Sequence, residues 1–428
     1  MSLCGKTLLV LGGYPLMEKV IEKAHELGVR VLCTDWNNDA PAKAIADNSF
    51  SVSTTDVDAL EELCRREGVD GVFPGAVDVN LVPAAKLCDR LGLPCYATAE
   101  QFARTLDKLS FKEAAAAAGM PVARSWDADS IGDEEAAALP FPLIVKPSDS
   151  YSSRGISICD KPEQLSACVA KAKKVSPTGQ CIVEEFLEGD DVYLYFTVQD
   201  GCVSLSAMAD RLTQPQDSDG IGMAPQPQLY LFPSRYLDLY EKQASDGVQR
   251  LADCLGLRQG SFMIQGIVSH GRISFFEMGL RMTGGAGFIL IRHVNQIDQC
   301  EMHIRFALGE PFGPWDVRKL DDARFCAPSC VLVPLLQPGT IASIEGLQAV
   351  ADLPSFVDSV VYLAEGDAVG GVGTLDQALA RLYFCADSAE DLLADLQRAK
   401  SLIRVRDSLG QDMLTPWFSD EEAARCLA

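Results

Sequence analysis

The sequence is short of histidine, short of positive charge and without any long apolar run. Four histidines in 428 residues, none at ligand spacing, leave no zinc site to read. The 15 cysteines form no C-x-x-C pair and no regular framework. With no basic-then-apolar leader in front of them, they read as reduced thiols of a cytoplasmic protein. Apolar stretches are short and interrupted by charge, which excludes a transmembrane helix and a membrane partner. Thirty-seven basic residues against 60 acidic ones give a net charge of −23, a field that repels a phosphate backbone. Nucleic acid is therefore excluded as a partner, although a few local lysines can still hold one triphosphate.

What remains is ordinary globular material, 48% apolar and 23% charged, long enough for two to four domains. In the first hundred residues strand patterns (Thr7–Gly12, Val29–Thr34, Gly71–Pro74, Pro94–Tyr96) alternate with helical ones (Leu16–Leu27, Asp56–Glu67, Val79–Leu91). That alternation predicts a parallel α/β unit. Thr98–Gln101 and Ser110–Glu113 both fit a capping box, which predicts two helix starts with Lys108 at their junction. Strands at Phe141–Pro147, Gly155–Cys159 and Cys181–Leu187 around a helix at Glu163–Lys174 predict a small α+β module. From Asp191 the period changes to two, with hairpins at Asp200-Gly201 and His270-Gly271. Tyr236–Leu255 reads as one helix, and Thr213–Pro227 as a loop over a site. The predicted division is 1–100, 101–320 (a lid near 120–187, a core near 188–320) and a C-terminal α+β unit at 321–428.

The residues that carry chemistry sit at strand ends. Lys146 closes the apolar strand Pro142–Lys146 and precedes the polar loop Pro147–Gly155, whose hydroxyls and amides suit phosphate oxygens. A strand-end lysine can also snorkel to solvent. Glu184-Glu185-Phe186-Leu187 followed by Asp190-Asp191 forms an acidic hinge, readable as a nucleotide edge or as a solvated turn. Glu277 ends the strand Arg272–Met278 and is followed by Arg281 and Gly284-Gly285. Arg211 ends another strand and either faces phosphates or forms a surface ion pair.

Taken in order and spacing, these segments resemble the ATP-grasp superfamily, in the branch of carbamoyl-phosphate-synthetase-like, biotin-carboxylase-like and amino-acid-ligase proteins. The resemblance covers about residues 5–410. It implies a Rossmann-like leading domain, a small α+β lid and an antiparallel core, with ATP and Mg2+ (or Mn2+) as cofactors. It implies that Lys108 and Lys146 hold phosphates and that the Ser152-Ser153-Arg154-Gly155 loop closes over them. Glu184 and the backbones of Glu185 and Leu187 would bind adenine, Asp191 the ribose, and Glu277 the metal. Arg281, and with it Lys146, would act on the reacting carboxylate or phosphoryl group. The chain departs from the pattern where a second acidic metal ligand is usual, since that position is Gln265, and again at Gly279, where members often carry Asn.

The activity expected is ligation of a small carboxylate to an amine through an acyl phosphate. The rivals are an ATP-binding protein with weak or no turnover and, from Gly12-Gly13 and Asp35, an NAD-type oxidoreductase. The substrates stay unnamed and the assembly open, a homodimer being one option. A geometric expectation accompanies Gln265: a three-residue Ser269-His270-Gly271 loop, with positive φ at Gly271, puts Gln265 and Glu277 on one face.

Overall fold

A computed structural model describes residues 3–149, 155–214, 226–311, 313, 315–371 and 375–427. The chain begins with four parallel strands, β1 (Thr7–Leu11), β2 (Arg30–Thr34), β3 (Asn48–Phe50) and β4 (Gly71–Phe73), ordered β3-β2-β1-β4. All five residues of β1 are buried, as expected of a strand covered by helices on both faces. The helices Leu16–Glu26 and Val57–Glu67 supply that cover through apolar stripes. Pro94–Tyr96 is not a strand; it is irregular chain leading to the helix Ala99–Leu106.

The second sheet is small: β5 (Ser125–Asp127), β6 (Leu143–Pro147), β7 (Ser157–Cys159) and β8 (Cys181–Glu185), ordered β5-β8-β6-β7. One face packs on the helix Pro162–Val175, which fits the α+β module read from the sequence.

The third sheet dominates the molecule. It contains β9 (Asp190–Gln199), β10 (Cys202–Thr213), β11 (Pro227–Phe232), β12 (Gly260–Ser269), β13 (Arg272–Gly279) and β14 (Ser329–Leu332). Of the strands that follow, β15 (Gly339–Glu345), β17 (Ala368–Val369) and β19 (Arg404–Asp407) form a separate three-stranded sheet. The other two, β16 (Phe356–Val361) and β18 (Ala380–Cys385), return to the large sheet, ordered β13-β12-β9-β10-β11-β14-β18-β16. The last hundred residues thus extend the central sheet as well as building their own layer.

Alternation along β9 explains why this sheet is buried on both sides. Val192, Leu194, Phe196 and Val198 pack with the helices Ala99–Leu106, Lys108–Ala117 and Ser245–Leu255. Tyr193 and Tyr195 point the other way, against Phe288–Asn295 and the leading α/β unit. The helix expected over Tyr236–Leu255 is two, Leu237–Gln243 and Ser245–Leu255, broken at Ala244. No helix among the described residues is long and apolar enough to cross a membrane. All 15 cysteines are free thiols.

Candidate active site

The cleft between the leading unit, the helix Lys108–Ala117 and β12–β13 is lined by Asp78, Leu106, Lys108, Asp149, Met263 and Glu277, among others. Local structure fixes each side chain. The helix carrying Lys108 starts three residues earlier than a Ser110 cap would allow: Asp107 is the N-cap and accepts from the Ser110 amide at 2.8 Å. The capping box is instead at Thr98 and Gln101, as read. The Lys108 amide donates to Ser148 O at 2.9 Å, tying the helix start to the segment after β6.

Lys112, one turn after Lys108, shares its face and reaches the same interior. Its Nζ lies 2.6 Å from Glu184 Oε1, while Lys146 Nζ lies 2.6 Å from Glu184 Oε2. All three are buried. Burial alone would raise the Glu184 pKa, but Lys146 and Lys112 together hold it below the usual carboxylate range. Burial, with Lys146 beside it, lowers that of Lys112 despite Glu184. The triad carries one net positive charge. Lys146 Nζ also stands 5.0 Å from the centroid of the Phe276 ring.

Glu277 is opposite Gln265 across β12–β13, with Gln265 Nε2 3.4 Å from Glu277 Oε2. Lys108 Nζ is 3.6 Å from the other carboxylate oxygen. The hairpin turn has two residues, not three: Ser269 pairs with Arg272, and His270 and Gly271 both have positive φ. That register would put Gln265 and Glu277 on opposite faces. A bulge between Gln265 and Gly266 skips Phe276 and restores them to one face. Gly271 has the φ expected of it, for a different turn.

Other expected positions are committed elsewhere. The Glu184 carboxylate serves two lysines rather than an open adenine edge. The Glu185 amide donates to Arg124 O and its side chain accepts from the Arg124 amide, so that N–H is spent. Leu187 has no backbone partner among the described residues. Asp191 pairs with Arg211 inside the protein; burial raises the Asp191 pKa against the pull of Arg211. Arg211 lies over the Tyr193 and Tyr230 rings, turned from the surface role and held by Asp191. Arg281 grips Asp78 with a bidentate fork, Nε–Oδ1 2.7 Å and Nη2–Oδ2 2.8 Å. It therefore clasps the leading unit to the central sheet. Asp35, the residue behind the oxidoreductase reading, accepts from the Gly13 and Asn37 amides. Ser152, Ser153 and Arg154 lie outside the described residues, as does most of the Thr213–Pro227 loop. Gly155 has φ +77, and a Cβ there would meet Pro147 Cγ at 2.8 Å.

Three buried lysines, Lys108, Lys112 and Lys146, thus stand near a carboxylate-bearing strand edge, an arrangement suited to an anionic phosphate ligand. The chain belongs to the ATP-grasp superfamily. Residues 107–312 match the model of the carbamoyl-phosphate synthase L chain ATP-binding domain. Residues 11–103 match a PylC-like N-terminal domain, and 333–408 match L-amino acid ligase C-terminal domain 2. A formate-dependent phosphoribosylglycinamide formyltransferase of Synechococcus sp. (strain RCC307) is 28% identical over 312 residues, covering 71% of this chain and 76% of that protein. Among solved structures, L-amino acid ligase from Bacillus licheniformis superposes with TM-score 0.75 at 17% identity, covering 95% of this chain and 99% of that one. Phosphoribosylglycinamide synthetase from Anaerococcus prevotii gives 0.74 at 19%, covering 94% and 100%.

Proposed function

We propose that the protein uses ATP to activate a small carboxylate as an acyl phosphate and passes the acyl group to an amine, forming a C–N bond. The observation that supports this most is the placement of Lys108 against Glu277 and, one turn along the same helix, of Lys112 sharing Glu184 with Lys146. Two anionic reactants must meet there, and fixed cations lower the repulsion between them and the charge developing on the transferred phosphoryl group.

Lys108 would release Glu277 and Lys146 would share Glu184 in order to reach phosphate oxygens. The Leu187 amide offers a donor to the adenine edge. A carboxylate oxygen of the substrate attacks the γ-phosphorus, ADP leaves, and the amine then displaces phosphate from the acyl carbon. The β5–β8 layer covers the intermediate against water.

The donor set fits one Mg2+. Glu277 supplies a carboxylate and Gln265, once its amide turns, an uncharged oxygen; a magnesium site needs only one or two carboxylates beside substrate phosphates. When bound, the ion neutralises phosphate charge.

The test is ADP release with Mg2+ over a matrix of small carboxylates and amines, with formate and amino acids as the first arms. We expect one pair to raise ADP release at least about tenfold with equimolar amide. Calorimetric ATP binding with no stimulating pair would overturn the ligase reading. Gln265 standing in place of an acid favours, in that event, a protein that binds ATP without turnover.

A further inference from the structure

Arg381 is a buried cation held by the Tyr230 and Tyr362 hydroxyls, with no carboxylate beside it to balance its charge among the described residues. It sits in β18, 6% exposed, and its Nε and Nη1 have no hydrogen-bond partner. No ion pair among the described residues involves it. Its surroundings are aromatic hydroxyls. Its Cζ is 5.7 Å from the Tyr230 ring centroid, and Tyr362 and Tyr383 flank it. The Tyr383 hydroxyl donates to Gly285 O at 2.9 Å. A Cβ on Gly285 would stand 3.4 Å from Arg381 Nη1, so the Thr283–Gly285 turn lies directly against the guanidinium. That turn follows Arg281 and Glu277 in the chain, on the nucleotide side of the sheet.

An unpaired buried charge is costly, and a fold keeps one only where something compensates it in use. An arginine with two free donors takes an oxyanion. The charge count decides which. The Asp358 carboxylate, which acts on the flanking Tyr383, is already paired with Lys19. Arg211, on the other side of Tyr230, is already neutralised by Asp191. One net positive charge amid tyrosine hydroxyls balances a monoanion and leaves a dianion uncompensated.

We propose that Arg381, with Tyr230 and Tyr362 around it, seats the carboxylate of an amino-acid-type substrate, the group that anchors it rather than the one that reacts. This rests on the ligase reading and deepens it: the substrate carries a carboxylate handle and not a phosphate one.

The experiment is thermal unfolding of the full chain in sodium acetate, sodium phosphate and sodium chloride at matched ionic strength and pH. Acetate is expected to raise the wild-type Tm by about 3 °C over chloride, with phosphate giving less. In Arg381→Met the acetate shift disappears, while the Tm in chloride equals or exceeds wild type because an unpaired charge has been removed. Arg381→Lys keeps part of the shift. Equal Tm values in acetate and chloride, a larger shift in phosphate, or a shift that survives Arg381→Met would each overturn the proposal. So would a fall in the chloride Tm of Arg381→Met, which would mark a structural arginine. ATP binding by the wild-type protein, measured separately, tests the ligase reading by itself.

Discussion

Gln265 and Glu277 stand directly opposite each other across β12 and β13, with amide and carboxylate 3.4 Å apart, because one bulge cancels the register set by the hairpin turn. An amide there avoids placing two carboxylates face to face. Gln265→Glu should therefore destabilise the metal-free protein by about 0.5 kcal/mol through cross-strand repulsion. Added Mg2+ should reverse the loss and tighten metal binding. Thermal scans with and without Mg2+ check this; an equal Tm drop in both would separate Gln265 from the metal.

Glu184 holds two buried lysines, so its removal should cost more than that of either lysine. Glu184→Gln leaves Lys112 and Lys146 uncompensated and should lower stability by about 3 kcal/mol. Lys112→Met leaves a neutral Lys146–Glu184 pair and should cost less than half as much. Urea denaturation of the two variants decides the order, and the reverse ranking would contradict the charge count.

Much of this was legible in the sequence, and the misreadings have physical causes. Lys146 and Glu277 stood out as charges at the ends of apolar strands, and Lys108 as the residue at the junction of two helix starts. Lys112 carried a signal too, four residues after Lys108 on one helical face, but Ser110 and Glu113 imitated a cap and hid it. Gly266 inside a strand was a sign of the bulge that sets Gln265 against Glu277. The pairing of Arg281 with Asp78 spans 203 positions and depends on how the leading unit docks, which no local pattern encodes. Arg381 and the return of β16 and β18 to the large sheet are tertiary outcomes of the same kind.

Arg281 and Asp78 form a forked clasp that a lysine cannot reproduce. Arg281→Lys should lower kcat/KM for the carboxylate by at least about tenfold through misalignment of the cleft walls. ATP affinity should change less than about threefold. Steady-state kinetics beside calorimetry measures both; equal losses in the two would make Arg281 a nucleotide ligand instead.

Burial pushes the Asp210 pKa up to about 6 against donation from Ser234 and the charge of Arg235. A carboxyl with a raised folded pKa binds more protons folded than unfolded between the two values. Its contribution to stability is therefore present at low pH and lost as pH rises from about 4 to about 6. Asp210→Asn should remove that fall. Stability measured by urea at pH 4, 5, 6 and 7 gives the comparison, and an unchanged slope in the variant would refute the assignment.

The central claim is that a carboxylate oxygen attacks ATP. With the carboxylate selected by ADP release supplied as its 18O form, mass analysis of the released inorganic phosphate is the most direct measurement. The acyl-phosphate route predicts one 18O atom in each phosphate formed with product. Unlabelled phosphate at full product yield would contradict it.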